Sequence, residues 1–261
     1  MSKTVSVLGC GWLGFPLGRQ LLSLGCRVKG STRSIRKINA LSDAGIEPFL
    51  IDIANINRNL DDLLQSNTLI IAITSKEIDH FRNLLTAIET SPVEKVLFIS
   101  STSVYPAGNK IVSEDSTTLP LNPLVGIEDL FTKSKKIKTT VVRFAGLFGY
   151  DRKPGNFFRS GKIVSDPDAF VNMIHRDDCI ALLTTILQQD VWDEVFNACA
   201  DAHPTKREFY TKAATDIGTL PPEFSKHTSS PYKIVSNNKM KEQLGFVCTF
   251  NDLMSINFAS C

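Results

Sequence analysis

Apolar positions in the first half of the chain fall into short continuous runs, separated by stretches in which they recur every three or four residues. A run of that length bounded by turn residues reads as a buried strand, and the longer recurrence reads as one face of a helix. Residues 4–8 (Thr-Val-Ser-Val-Leu) make the first run, and Leu13, Leu17, Leu21 and Leu24 then line one helical face. Further strands are predicted over 27–31, 47–51, 68–73 and 95–100, with helices between them near 35–44, 60–64 and 77–89. A sixth strand over 139–144 follows a helix that begins near Pro123. Strand and helix alternating in this way predict a parallel sheet covered on both faces, a doubly wound α/β fold. Ligands of such sheets sit beyond the carboxyl ends of the strands. The residues just after each strand are therefore the ones to read for chemistry.

The regularity is lost after the sixth strand. Residues 146–170 are rich in Gly, Pro and charge and read as loops with a short helix. Helices are expected over 175–189 and 205–218, a short strand over 194–198, and strand-like character over 233–236. Pro221, Pro222 and Pro231 mark a loop before Ser236-Asn-Asn, which suits the cap of a final helix over 239–244. No internal repeat or low-complexity segment is visible.

The most informative junction is the first. Gly9, Gly11 and Gly14 follow the first strand at the mouth of the first helix, in the order Gly-Cys-Gly-Trp-Leu-Gly. Gly9 permits a tight turn, Gly11 leaves room for the backbone to approach a pyrophosphate, and Gly14 lets the helix pack closely on the strand. The free N–H groups of that helix then face the phosphates. Pro16 falls in the first helical turn, where its missing N–H is harmless. The pattern predicts a dinucleotide site over Gly9, Gly11, Trp12, Leu13 and Gly14. The expected organisation is a nucleotide-binding domain over 1–150 and a small α+β lobe over 151–261. That lobe covers a substrate and is partly interleaved with the sheet.

The second strand decides which dinucleotide. NAD-binding folds place an acidic residue at its end to hold the ribose 2′-hydroxyl, but this chain has Lys29-Gly-Ser-Thr-Arg-Ser34, with Arg36 and Lys37 a turn later and no carboxylate before Asp43. Hydroxyls of Ser31 and Thr32 with the planar guanidinium of Arg33 suit a 2′-phosphate, so NADP is expected over NAD. A solvated Arg33 at a helix start is the plainer alternative. Asp52, ending the third strand, suits either the adenine amino group or a turn. Ala72, Ile73 and Thr74 after the fourth strand are small enough to lie along the cofactor.

Composition narrows the class. The chain has 261 residues, 43% hydrophobic, and a net charge of +2. That is long enough to bury a large core in one domain with a small appendage, and nearly neutral, so nucleic acid is not expected as a partner. The densest basic cluster, Lys133-Ser-Lys-Lys-Ile-Lys138, reads as a solvated helix end. The six cysteines show no Cys-x-x-Cys spacing, no metal-ligand pattern is seen, and most sit in apolar contexts that suit a reducing compartment. A strand that starts at residue 4 leaves no room for a signal peptide, and no long apolar run exists for a membrane. A soluble cytoplasmic protein is expected.

Three later segments add a resemblance. Phe98-Ile-Ser-Ser-Thr-Ser-Val-Tyr-Pro106, Arg143-Phe-Ala-Gly-Leu-Phe-Gly149 and Asn172-Met-Ile-His-Arg-Asp-Asp178 occur in that order. Together with the glycine turn they resemble the extended short-chain dehydrogenase/reductase superfamily, the NAD(P)-dependent epimerases and dehydratases. Val195-Phe-Asn-Ala-Cys199 and Pro204-Thr-Lys-Arg-Glu-Phe-Tyr210 are similar to that superfamily's carboxyl-terminal lobe, and Gly-Cys-Gly-Trp-Leu-Gly is closer to its atypical branch. The resemblance implies a Rossmann-like sheet, an NAD(P) cofactor and a small polar substrate. It leaves open a homodimer through helices beside the sheet. It further implies a Tyr-x-x-x-Lys pair assisted by a Ser or Thr, in which a tyrosine of lowered pKa exchanges a proton with the substrate hydroxyl as hydride moves. Ser101 matches the Ser position, but Gly126 and Leu130 stand where the tyrosine and lysine belong. Neither side chain transfers protons.

Tyr105, close behind Ser101, either donates the proton or packs its loop. Ser100 and Ser101 either touch cofactor and substrate or satisfy a local turn. His175 borders the pocket or serves as a structural hydrogen-bonding group, and Asp177 and Asp178 suit helix capping. Two functions remain: an NADP-dependent oxidoreductase or epimerase-like enzyme for a hydroxy/keto or nucleotide-sugar-like compound, with Ser101 polarising its oxygen and Tyr105 or water giving the proton, or a non-catalytic NAD(P)H sensor or interaction protein. A β-hydroxyacid dehydrogenase, which shares the glycine turn, is disfavoured by the strand-like residues of the second half.

Overall fold

The five strands expected in the first hundred residues form, each ending within two residues of its expected bounds. A computed structural model describes residues 3–159, 161–226 and 231–261. In chain order its first elements are β1 (Thr4–Leu8), α1 (Gly14–Ser23), β2 (Arg27–Thr32), α2 (Ile38–Asp43), β3 (Glu47–Leu50), α3 (Arg58–Leu63), β4 (Thr68–Ile71), α4 (Ile78–Glu89) and β5 (Lys95–Ser101). They are followed by β6 (Lys110–Val112), α5 (Pro123–Thr132), β7 (Lys138–Phe144), β8 (Gly146–Phe148), β9 (Met173–His175) and α6 (Arg176–Gln189). The last are β10 (Val195–Ala198), α7 (Lys206–Asp216), β11 (Lys233–Val235) and α8 (Asn238–Leu244).

Seven strands form one sheet in the order β10-β7-β5-β4-β1-β2-β3, parallel at β1–β2, β1–β4, β2–β3 and β4–β5. The chain walks outward from β1 to β3 and then returns to β4 on the other side of β1, and such a reversal opens a crevice at the carboxyl ends. β6 pairs with β11 and β8 with β9 in two small parallel sheets.

Differences from expectation have local causes. The helix expected over 35–44 splits into a 3-10 turn, Ile35–Lys37, and α2, whose only buried residue is Leu41, so little packing enforces one continuous helix. β4 stops at Ile71 rather than 73 because its neighbour β1 turns away at Gly9; Ala72 N–H makes the last bond, to Leu8 O at 2.8 Å. The helix expected from 175 starts at Arg176 because His175 pairs with Phe148 in the β8–β9 ladder.

The chain divides into two compact units. The first holds Met1–Val104, Leu119–Val142 and Ile186–Val195; the second holds Tyr105–Thr118, Arg143–Thr185 and Phe196–Cys261. In the first unit, Phe98 stacks on Phe131 at 5.4 Å and Phe81 meets both edge-on, tying α4 and α5 to β5. In the second, Phe258 meets Phe148 at 5.7 Å and Phe209 at 5.3 Å in a separate apolar core. Among the described residues no helix is long and apolar enough to cross a membrane.

Candidate functional site

The turn after β1 is built so that two of its glycines admit no substitute. Gly9 has φ +105°, and a β carbon there would lie 2.6 Å from Ala72 O and 2.7 Å from Ile73 Cγ2. A β carbon on Gly14 would collide with Gly9 O, so α1 lies directly against the turn. A β carbon on Gly11, in contrast, meets nothing within 4 Å; beyond that residue the protein leaves open space. α1 begins at Leu13 with no side-chain cap and no acidic residue in its first turn. Its positive dipole end is thus not neutralised from within the helix. Trp12 and Leu13 complete the turn, Leu13 buried beneath it.

Ser31, 1% exposed, accepts from Gly9 N–H at 3.0 Å, and its carbonyl accepts from Cys10 N–H at 2.7 Å. It braces the turn from the end of β2. Thr32 is buried and accepts from Ser34 N–H at 3.1 Å. Arg33 is exposed immediately past β2, with Arg36 and Lys37 exposed in the turn that follows. Asp52 accepts from Ala54 N–H at 3.0 Å, an Asx turn that suits the turn reading of that residue. Ala72 and Ile73 are half-buried and Thr74 exposed in the segment that leaves β4 over Gly9.

At the end of β5 two adjacent serines differ. Ser100 is buried and donates to Glu128 Oε1 at 2.5 Å. Ser101 is half-buried and accepts from Ser103 N–H at 3.1 Å. Glu128, 4% exposed on α5, was missed by reading for proton-transfer spacing. A signal for it existed: with Leu124, Ile127 and Phe131 it shares the buried stripe of that helix. Of the two positions that should carry the proton-transfer pair, Gly126 lies so close to α4 that a β carbon would be 2.9 Å from Ile78 Cδ1, and Leu130 packs on the apolar core.

Tyr105 belongs to the second unit and is 1% exposed. Its hydroxyl donates to Asn197 Oδ1 at 2.8 Å and accepts from Arg143 Nη1 at 2.6 Å, and the guanidinium lies 5.1 Å from its ring centroid. Burial pushes the phenol up, against the pull of Arg143. Glu114 completes the group by accepting from Asn197 N–H at 2.7 Å, and burial raises its carboxyl as well. Arg143 therefore pairs inside the fold. His175 is 1% exposed; its Nδ1 accepts from Asp177 N–H at 3.2 Å, and burial lowers its pKa. Asp178 accepts from Thr249 and Phe250 N–H at 2.7 and 3.0 Å, holding the C-terminal segment.

The sheet with its reversal at β1 and the glycine turn there define a Rossmann-like α/β protein. A model of the NAD dependent epimerase/dehydratase family matches residues 5–126. Protein YeeZ of Escherichia coli (strain K12) is 30% identical over 270 residues, covering 96% of this chain and 97% of that protein. The chain belongs to the NAD-dependent epimerase/dehydratase family. Its fold is shared by a conserved protein from Silicibacter pomeroyi DSS (TM-score 0.82, 21% identity, 98% of this chain and 97% of that one). It is shared too by UDP-glucuronic acid 4-epimerase from Bacillus cereus in complex with NAD (TM-score 0.80, 20% identity, 98% and 96%). A short-chain dehydrogenase/reductase superfamily protein from Agrobacterium tumefaciens with bound NAD is a third (TM-score 0.78, 18% identity, 97% and 95%). At these identities the likeness is one of fold.

Proposed function

We propose that this chain binds a nicotinamide dinucleotide, NADP(H) in preference to NAD(H), and acts in the cytoplasm as an oxidoreductase or epimerase/dehydratase-type enzyme on a small hydroxy/keto or nucleotide-sugar-like substrate. One observation carries the reading: α1 begins uncapped, without an acidic residue, at a turn whose Gly9 and Gly14 have no room for a side chain and whose Gly11 faces open space. That is the geometry a diphosphate requires. Arg33, exposed past β2 where NAD-binding folds carry a carboxylate, supports the phosphorylated cofactor. The bound nicotinamide would supply the hydride. Ser101 Oγ accepts a main-chain bond, which leaves its own proton for a substrate oxygen. Tyr105 has its hydroxyl engaged at both ends, so we assign it to packing and the proton to water. The Bacillus cereus neighbour, an epimerase of a UDP-sugar, supports a nucleotide-sugar-like substrate, and six unpaired cysteines suit a reducing compartment.

A second reading has its own support. Gly126 and Leu130 leave α5 without a proton-transfer pair, which favours a protein that holds the dinucleotide and performs no turnover. Titration with NADPH and NADH, followed by calorimetry, tests the site. NADPH should bind more tightly by about ten- to a hundredfold. Failure of both to bind overturns the proposal, and equal affinities overturn the preference. NADPH oxidation over a panel of carbonyl compounds then separates the readings, because binding without turnover selects the second.

A further inference from the structure

The second unit contains a cavity of about 360 Å³, lined in part by Tyr150, His175, Asp177, Phe250 and Ile256. None of these residues belongs to the glycine turn or to the ends of β2 and β4. Among the described side chains of the wall, Asp177 carries the only carboxylate and no lysine or arginine contributes.

The carboxylate is held in place from two sides. Tyr150 donates its hydroxyl to it, 3.0 Å from either oxygen, and the main-chain N–H of Asp177 is fixed on His175 Nδ1. Tyr150 reaches that position through two successive left-handed residues, Gly149 at φ +118° and Tyr150 itself at φ +57°. A β carbon on Gly149 would collide with His175 Nε2. A bulky residue held at positive φ is an outlier that surrounding structure must enforce. Behind the carboxylate, His175 packs against Phe250 with ring centroids 3.8 Å apart, and its Nε2 has no hydrogen-bond partner among the described residues. Asp177 nevertheless keeps 46% of its side-chain surface exposed. Two cations stand outside the wall: Arg176, whose guanidinium lies 3.6 Å from the Tyr150 ring centroid, and Lys153, which donates to Ala259 O at 2.5 Å.

We propose that this cavity binds a small organic ammonium ion, with the charge on Asp177 and the apolar body against Phe250 and Ile256. A carboxylate that is oriented in advance and half shielded from water attracts a cation more strongly than a surface one. Aromatic walls add to the attraction, and the volume matches that of small-molecule sites. The site shares no residue with the dinucleotide turn, so it stands independently of the function proposed above.

Three probes of one shape test it on the full-length protein without dinucleotide: 2-phenylethylamine, 2-phenylethanol and phenylacetate, titrated by calorimetry. The amine should bind best, the alcohol at least about tenfold more weakly, and phenylacetate weakest. Asp177→Asn should bring amine and alcohol together. Equal affinity for amine and alcohol, stronger binding of phenylacetate, or no binding of the amine overturns the proposal. If Asp177→Asn fails to fold, the probe series on the unaltered protein still decides. Addition of amine should also shift the ring resonances of His175, and unmoved resonances would place any binding elsewhere and overturn the assignment.

Discussion

Arg33 and Tyr105 illustrate how differently two polar side chains read once their surroundings are known. Arg33 is exposed at the end of β2, with no side chain of opposite charge beside it in the sequence until Asp43. Arg33→Asp should invert the proposed preference for NADPH over NADH, because it would replace a charge-assisted phosphate contact of about 1.5–3 kcal/mol with a repulsion; titration of both reduced dinucleotides checks it, and an unchanged preference would put the 2′-phosphate elsewhere. Tyr105 stands beside a serine of the expected kind, yet its hydroxyl bridges Asn197 and Arg143. Tyr105→Phe should lower unfolding free energy by about 1–3 kcal/mol, since it removes a hydroxyl that bonds two buried side chains, while dinucleotide affinity stays as it was. Chemical denaturation and titration together check the packing role, and lost dinucleotide binding with unchanged stability would contradict it. Neither contact was legible in the sequence. Asn197 lies 92 residues away from Tyr105, and nothing in local spacing marks such a partner.

At the scale of elements, α4 and α5 carry the most instructive packing. Gly126 lets the helices approach until Ile78 Cδ1 occupies the place where a side chain would start. Placing an aromatic residue there by Gly126→Tyr should therefore destabilise the protein by about 1–3 kcal/mol through overpacking. Ile78→Ala in the same chain should recover part of that loss. A double-mutant cycle by thermal denaturation measures the coupling, and strict additivity of the two changes would show that Gly126 is not held by Ile78. The strands and helices of the first unit were legible because each is long enough to display its period and is bounded by turn residues. The three-residue strands β6, β8 and β9 were not. A three-residue strand is too short for alternation to register, and each exists only because a partner strand lies beside it. Glu128 hid for the opposite reason: its position repeats the apolar period of α5, and only its chemistry is out of place.

At the scale of the whole molecule, burial sets how stability responds to acid. His175 is kept neutral in the fold, its pKa lowered from the ordinary 6.5 chiefly by desolvation. Below that pH the unfolded chain takes up a proton that the folded chain refuses, so stability falls as pH falls, down to the folded pKa. His175→Asn, which keeps an acceptor for the Asp177 N–H, should flatten the slope of unfolding free energy in that window, measured by denaturation at a series of pH values. A steeper slope in the variant would assign the acid response to other groups. Asp178 and Glu114 act in the opposite sense, their carboxyls raised by burial, so the stability they add at low pH is lost as pH rises through their folded values. The parallel, doubly wound sheet followed from the alternation of strands and helices alone. The second unit was less legible, because it gathers residues 105–118 from between two elements of the first and its contacts span long separations that local pattern does not encode.

Cys10 sits inside the glycine turn, 5% exposed, its thiol pushed up to about 12 by desolvation and its sulfur lying where a side chain on Gly30 would begin. Such a thiol is inert toward alkylating reagents while the turn stays shut and reacts only in moments when it springs open. Its modification rate is therefore a built-in clock for that opening. A dinucleotide gripped by the turn should make the clock run slower, and reading it needs no knowledge of the substrate.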